Sequence, residues 1–337
     1  VGAEVAVNTQ TNGAQSAAGS GPGAVAMDDA GNYVVVFEDA DSNGGDVFFR
    51  RFDAAGNPLG AATRVNATLA DRQYDARVAM AGNGSFVVTW TSNLQDGSGT
   101  GIHAQRFAAD GTAQGGEFRV NTTTTGDQGN STVAMASGGA FVVGWVSDDG
   151  SGTGIRGQRY DAAGVAQGGE LLVNVTTTQV QSAPSATITD SGDFGFVWQG
   201  LQSGSYDVYL RGYSAAGAAG AETRVNQTTV GAQTSVVIGT DATGANVVIA
   251  WASGDQDPDG SQGIYARRFN GSGVAQGGEF RVNSSTSGTQ SAPVVAVDSD
   301  GDFVVGWNDA ALDGSGSSVW LQRFDSVVFS SVRGFLS

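Results

Sequence analysis

Cysteine and lysine are absent from this chain of 337 residues, and histidine occurs once, at His103. Without cysteine there is no disulfide scaffold and no thiolate metal site. One histidine excludes multi-histidine metal centres and makes a Ser-His-Asp triad an unpromising reading. Only 15% of residues are charged, against about 25% in an average soluble domain. All 16 basic residues are arginine, set against 33 acids, for a net charge of −17. That balance argues against a nucleic-acid partner, because phosphate binding needs a basic face. No apolar run approaches the 18 or so residues that a membrane span requires, so no span is expected. The opening, Val1-Gly2-Ala3-Glu4, has neither a charged nor an apolar leader region, so any secretion signal is expected to be absent or already removed. What the chain has in quantity is glycine, 53 residues of it, and repetition.

One phrase recurs. It runs Glu117-Phe118-Arg119-Val120-Asn121, a Thr-rich linker, Gln128, Thr132-Val133-Ala134-Met135, a glycine turn, then Phe141-Val142-Val143-Gly144-Trp145. An Asp-Gly-Ser-Gly loop, the run Ile155 to Tyr160 and a turn at Asp161-Ala162-Ala163-Gly164 complete it. Three marks appear six times each. They are an asparagine (Asn8, Asn66, Asn121, Asn174, Asn226, Asn283), a glutamine (Gln15, Gln73, Gln128, Gln181, Gln233, Gln290) and an aromatic (Phe37, Trp90, Trp145, Trp198, Trp251, Trp307). The glutamines are spaced by 58, 55, 53, 52 and 57 residues. Each unit holds four short runs rich in β-branched and aromatic residues, bounded by Gly, Asn, Asp and Ser, and none shows a helical period. Four strands in about 55 residues, repeated, predict an all-β fold, a six-bladed β-propeller of four-stranded blades.

The strands are named here a (Val-Ala-Met), b (Phe-Val-Val-x-Trp), c (Ile-x-Ala-Gln-Arg-Phe) and d (Phe-Arg-Val-Asn). Blades are expected over about 9–66, 67–121, 122–174, 175–226, 227–283 and 284–325, forming one domain over 1–325. Residues 326–337 follow as a tail unrelated to the repeat. The chain opens on a lone strand d, residues 4–8, and ends on a, b and c. Pairing of 4–8 with 319–324 is therefore expected to close the ring as a 1+3 blade, which would leave no free sheet edge.

A residue present in every blade is expected to build blades. The aromatic ending b is read as core between blades. The c-strand arginine (Arg51, Arg106, Arg159, Arg268, Arg323), replaced by Gly212 in the fourth blade, is read as a planar donor tying strands or blades together. The glutamine is read as bonding the backbone of the d-to-a crossing. The asparagine is read as capping that turn, in preference to glycosylation at the sequons that begin at Asn66, Asn121, Asn174, Asn226 and Asn283. Five of the six glutamates start strand d (Glu4, Glu117, Glu170, Glu222, Glu279), and Glu38 stands apart. His103 is expected to face solvent from strand c.

The b-to-c loops carry the most chemistry. Asp39-Ala40-Asp41-Ser42-Asn43-Gly44 and Asp255-Gln256-Asp257-Pro258-Asp259-Gly260 match the first half of a calcium loop, in which alternate side-chain oxygens meet a hard cation. The twelfth-position glutamate of an EF-hand is replaced by Arg50 and Ala266. Asp39, Asp41, Asn43, Asp255, Asp257 and Asp259 are the expected Ca²⁺ ligands. Asp-Gly-Ser-Gly loops beginning at Asp96, Asp149 and Asp313 are weaker candidates.

The phrase Gly-Gly-Glu-Phe-Arg-Val-Asn, Phe-Val-Val-x-Trp, Asp-Gly-Ser-Gly-x-Gly-Ile and Gln-Arg-Phe-Asp resembles a repeat of large bacterial secreted and surface proteins. The likeness covers residues 4–325, apart from Leu201 to Asp207 in blade four, which lacks Asp-Gly-Ser-Gly. The resemblance implies an extracellular or cell-surface, acidic, non-catalytic structural or adhesive module. Its partners would be other surface proteins, further copies of itself, or glycans. A multivalent lectin using Tyr74, Tyr206 and Tyr265 is the alternative. A polysaccharide-active enzyme is a third reading; it needs an asymmetric cluster, to be sought first in blades one and four.

Overall fold

A computed structural model of the chain describes residues 4–9, 14–17, 23–40, 44–148, 152–202, 204–310 and 316–326. Its regular structure is antiparallel β-sheet in six sheets, the blades of a β-propeller. The sheets fall into two compact units. In the first, Val1–Thr178, sheet one holds β1 (Ala14–Ala17), β2 (Val25–Met27), β3 (Tyr33–Ala40), β4 (Asp46–Phe52) and β5 (Thr63–Arg64). Sheet two holds β6 (Gln73–Met80), β7 (Phe86–Asn93), β8 (Thr100–Phe107) and β9 (Phe118–Arg119), and sheet three β10 (Gln128–Met135), β11 (Phe141–Asp148), β12 (Thr153–Tyr160) and β13 (Leu171–Leu172). In the second unit, Gln179–Ser337, sheet four holds β14 (Gln181–Ile188), β15 (Phe194–Gln202), β16 (Ser205–Tyr213) and β17 (Thr223–Arg224). Sheet five holds β18 (Gln233–Thr240), β19 (Asn246–Ser253), β20 (Gly263–Asn270) and β21 (Phe280–Arg281), and sheet six β22 (Gln290–Val297), β23 (Phe303–Asp309) and β24 (Ser318–Phe324). In sheets two to five the strand order is a-b-c-d, as the phrase predicts; sheet six runs a-b-c, and in sheet one strand a is divided into β1 and β2.

The turns follow from their residues. Between β6 and β7 the Ala81 N–H donates to the Ser85 carbonyl at 2.8 Å, and Gly84 takes φ +84°, a conformation that glycine adopts without a Cβ clash. Between strands c and d an aspartate organises the loop. Asp53 Oδ1 accepts from the amides of Ala55 and Asn57, and its Oδ2 from Asn57 Nδ2, an Asx turn that spares the loop unpaired donors.

Strand a carries a bulge in sheets two to six. The register slips between Tyr74 and Arg77, and again at the matching place in β10, β14, β18 and β22. The residue two beyond each glutamine then has a left-handed φ: Asp75 +55°, Asn130 +50°, Ala183 +50°, Ser235 +53° and Ala292 +51°. None is glycine, so each bulge costs on the order of 1 kcal/mol or more that the surrounding packing must offset. In sheet one the strand is divided into β1 and β2 at this place, with Ala17 opposite Phe37 and Val25 opposite Val35. This interruption accounts for the longest glutamine spacing.

The cores lie between successive sheets. In the first unit Val34, Val36 and Phe49 pack against Ala76, Val78, Phe86 and Trp90. Val87, Ile102 and Ala104 likewise meet Phe141, Val143 and Trp145. In the second unit Val197, Val208 and Leu210 meet Val236, Ile249 and Trp251, and the next core joins Val248 and Ile264 to Phe303 and Trp307. Trp90, Trp145, Trp198 and Trp251 are wholly buried. Removing such a ring typically costs about 3–5 kcal/mol. The expected core role of this aromatic is what the structure shows.

The ends of the array are less regular than the phrase predicts. Residues 4–9 form no strand, and sheet six stops at three strands. Val319 and Leu321 of β24 are 82% and 69% exposed. Among the described residues the fourth strand expected from residues 4–8 does not form, yet residues 6–8 keep the contacts that a strand d makes elsewhere. The carbonyls of Ala6 and Val7 accept from Arg50 Nη1 at 2.7 and 3.3 Å, as the Val225 carbonyl accepts from Arg267 Nη1 at 2.8 Å in the second unit. Asn8 Nδ2 donates to Gln15 Oε1 at 3.2 Å. The tail beyond Ser326 lies outside the described residues.

Candidate functional site

The recurrent polar residues form one repeated network, and it is architectural. The asparagine Oδ1 accepts from an amide near the start of strand c in five sheets: Val47, Ile102, Ile155, Val208 and Ile264 donate to Asn66, Asn121, Asn174, Asn226 and Asn283. Its Nδ2 donates to the carbonyl two residues on, the cap expected from the sequence. These asparagines are no more than 2% exposed, so a folded chain offers no acceptor at those sequons.

The glutamine does more than bond the crossing. Its Nε2 donates to linker carbonyls, as at Ala70, Thr125 and Val230. Its Oε1 accepts from the tryptophan indole in three sheets, Trp90 to Gln73, Trp198 to Gln181 and Trp251 to Gln233, at 2.9 to 3.0 Å. In sheet one the aromatic is Phe37, which has no N–H, and Gln15 donates to Asp39 Oδ1 instead. A constant offset of 17 or 18 residues between the glutamine and the tryptophan is the sequence signal for this pair.

Three of the glutamates opening strand d, Glu117, Glu170 and Glu279, are clasps. Glu117 accepts from the amides of Ala67 and Thr68, from Thr68 Oγ1 and from Gln95 Nε2. Glu170 does the same at Thr122 and Thr123, and Glu279 at Gln227 and Thr228. Each carboxylate thus holds the linker that leaves the preceding sheet. Burial works against ionisation of Glu117 and Glu279, but these hydrogen bonds outweigh it and hold both below the ordinary carboxylate range.

Four of the six expected calcium ligands lie among the described residues. Asp39 is buried beside Gln15, and Asp41 and Asn43 lie outside the described residues. Asp257 is buried. It accepts from Tyr265 Oη at 3.0 Å and Asn283 Nδ2 at 3.1 Å, with Arg281 at 3.8 Å. Asp259 accepts from the Ser261 amide and hydroxyl, and Asp255 is exposed. Among the described residues no three His, Asp or Glu side chains converge as metal ligands would. Asp46, Asp96 and Asp207 share the task of Asp257, each accepting from the asparagine of its own sheet.

Two further expectations are corrected. His103 is 4% exposed, not solvent-facing, because strand c presents it to the Trp90 ring at 6.3 Å between centroids. Burial pushes its pKa below the usual value, against an opposing pull from Glu117. Tyr265 is 6% exposed, hence no platform for a sugar, and burial together with its bond to Asp257 raises its pKa to about 12. Tyr206 and Tyr74 are half-buried, and the Arg72 guanidinium lies 4.4 Å from the Tyr74 ring centroid.

One cluster breaks the repetition, and it lies in the first unit where blade one was flagged. Glu38, at the end of β3, accepts from the bulge amides of Asp75 at 2.5 Å and Ala76 at 3.4 Å. Asp75 Oδ1 pairs with Arg77 Nη1 at 2.9 Å, and these side chains are 13% and 11% exposed. Asp75 Oδ2 is buried and has no hydrogen-bond partner. Such an oxygen is costly unless a ligand or a reaction uses it. At the positions of Asp75 and Arg77 the later sheets have Asn130 and Thr132, Ala183 and Ser185, Ser235 and Val237, Ala292 and Val294. Beside the cluster the chain between β1 and β2 returns through Gly23, at φ +111°, where a Cβ would stand 2.9 Å from Arg77 Cδ. In sheet four the amide of Gln199 performs the contact of Glu38, accepting from Ser235 N at 2.9 Å. The bulge clasp therefore needs no charge, and the charge on Glu38 is surplus to it.

No family model and no curated protein sequence matches the chain. Solved structures share its fold. The Penicillium chrysogenum α-L-arabinanase, complexed with arabinobiose, superposes with a TM-score of 0.54 at 16% identity, over 89% of this chain and 92% of that one. The polysaccharide lyase Uly1 gives 0.53 at 12% identity, over 89% and 76%. The β-propeller domain of the Pyrococcus furiosus Trilobed protease gives 0.52 at 8% identity, over 90% and 80%. These similarities are to the β-propeller as a fold. They overturn the expectation of a module that is not an enzyme, for the architecture read as purely structural is one that an arabinanase and a polysaccharide lyase also use.

Proposed function

We propose that the protein acts on a polysaccharide, with Glu38, Asp75 and Arg77 at its reaction centre. The observation that carries this reading is the single departure from six-fold repetition in which two carboxyl groups and an arginine meet. Cleavage of a glycosidic bond needs one carboxyl group to protonate the leaving oxygen and another to activate water or attack the anomeric carbon. Asp75 fits the second role: Arg77 holds one oxygen and leaves Oδ2 uncommitted. Glu38, anchored on the bulge amides through Oε1, fits the first. Tyr74, backed by Arg72, offers a ring face for a sugar close by. The arabinanase and the lyase of like fold both act on carbohydrate polymers, which supports this substrate class.

The test is a panel of polysaccharides, arabinan included, read by new reducing ends for hydrolysis and by absorbance of a new double bond for lyase chemistry. Asp75→Asn and Glu38→Gln are each expected to lower the rate about 100-fold or more, with unfolding curves close to the parent. Full activity in Asp75→Asn, or a panel that the parent protein leaves uncut, would sink the proposal.

A further inference from the structure

Sheet four departs from the repeat in a second way, away from the Glu38 cluster. In the other five sheets a strand-b valine faces the strand-c arginine across the ladder: Val34 and Arg51, Val87 and Arg106, Val142 and Arg159, Val248 and Arg268, Val304 and Arg323. In sheet four the pair is Gly195 and Gly212. A third position changes with them. The residue whose amide donates to the carbonyl of that arginine is Leu59, Gln114, Gln167 or Gln276 in four sheets and Gly220 in this one. Three large side chains on one surface are thus reduced to hydrogen. The backbone does not ask for this, since neither Gly195 nor Gly212 has a left-handed φ and a Cβ on Gly212 would meet nothing within 4 Å.

The arginine has a defined seat in the first unit. Arg51 Nη1 donates to the Ala109 carbonyl at 2.6 Å. Arg106 donates to the carbonyls of Ala162 and Ala163 and, at 3.2 Å, to Gln114 Oε1. Both guanidinium groups lie against the glycine of the next sheet's c–d turn: a Cβ on Gly111 would stand 2.8 Å from Arg51 Nε, and one on Gly164 2.7 Å from Arg106 Cδ. The matching turn facing sheet four is Asn270-Gly271-Ser272-Gly273, and nothing lies within 4 Å of a Cβ on Gly273. In place of the arginine there is a cleft of about 660 Å³. Gly212, Gly220, Tyr213, Phe269, Ser272 and the carboxylate-bearing Asp193 are among its lining. The corresponding cleft in sheet one, which Arg51 and Leu59 line, measures about 370 Å³.

We propose that this cleft is a docking site for an arginine side chain supplied by a partner polypeptide. The carbonyls of Gly271 and Ser272 stand where those of Ala162 and Ala163 receive Arg106. Asp193 adds negative charge, and the net charge of −17 favours a basic partner. A guanidinium fits better than an ammonium, because two neighbouring carbonyls are met by one planar fork.

The test uses the full chain and the peptides acetyl-Gly-Arg-Gly-amide and acetyl-Gly-Lys-Gly-amide, followed by calorimetry and by perturbation of amide resonances at residues 212–220 and 270–273. The arginine peptide is expected to bind at least ten-fold more tightly than the lysine peptide. Gly212→Arg, which restores the intramolecular side chain, is expected to abolish binding and to raise the melting temperature. Gly195→Val serves if that variant does not fold, with at least a five-fold loss. Equal binding of the two peptides, binding that survives both variants, or displacement of these resonances by an arabino-oligosaccharide and not by the arginine peptide would overturn the assignment. Glu38→Gln leaves the binding unchanged, so this site and the carbohydrate site stand or fall separately.

Discussion

At the scale of single residues, the molecule places ionisable groups in its sheets with different consequences for pH. His103 is buried against Trp90 and neutral in the fold, with its pKa pushed down chiefly by burial. The unfolded chain therefore binds the proton more readily, and stability falls as pH drops through about 6.5, reaching its full loss below the folded value. The melting temperature at pH 5.5 is expected to lie below that at pH 7.5, and His103→Phe should flatten this step. A parent and a variant with parallel pH profiles would contradict it. Sequence reading failed at this residue because strand c alternates, and the neighbouring sheet decides which side of it is covered. Tyr265 was misplaced for the same reason. The arginine of strand c was legible as a tie: Arg51 and Arg106 donate to backbone carbonyls of the next sheet's turn.

At the scale of elements, the linker leaving strand d is the least regular segment, and the glutamate clasp is what orders it. Glu279 receives the amides of Gln227 and Thr228, the Thr228 hydroxyl and Gln256. Glu279→Gln keeps the size but loses the charge and gives one amide oxygen where there were two carboxylate oxygens. A cost of about 1–3 kcal/mol is expected. Because the folded carboxyl lies below its ordinary value, this stability is present above about pH 4.5 and lost as pH falls through the folded value. Chemical denaturation at pH 7 should therefore separate the variant from the parent, and the gap should narrow as the pH is lowered step by step below about 4.5. The four-strand order and the turns were legible in the phrase, since period-two runs and Asp/Gly turns act locally. The glutamine–tryptophan pair was written in a constant spacing but joins residues on different strands. The bulge left no trace, because its left-handed residue is Asp, Asn, Ala, Ser or Ala with no shared chemistry. Aspartates of the acidic loop in sheet five also serve inward: Asp257 accepts from Asn283, and Asp259 forms an Asx turn with Ser261. Glu38 was visible as the one glutamate outside strand d. That Asp75 and Arg77 would join it was not, since that depends on a strand of the following sheet.

At the scale of the whole molecule, charge and exposed apolar side chains oppose one another. The net charge of −17, with a pI near 4.2, keeps copies apart at neutral pH. The outer strand β24 meanwhile shows Val319, Trp320 and Leu321 to solvent. An uncovered apolar strand is a template for pairing with another chain. Near pH 4.2 the repulsion vanishes, and light scattering should rise reversibly with protein concentration. Leu321→Lys is expected to suppress that rise several-fold at the same pH; no difference between the two proteins would remove the edge as its cause. The sealed asparagines carry a practical consequence for anyone making this protein. A eukaryotic secretory host attaches oligosaccharide to Asn-x-Thr while the chain is still entering the lumen, before any sheet exists. Each sugar so placed would sit on an amide that folding must enclose, so such a host should yield little native material, and replacing the hydroxyl residue of each triplet should recover it.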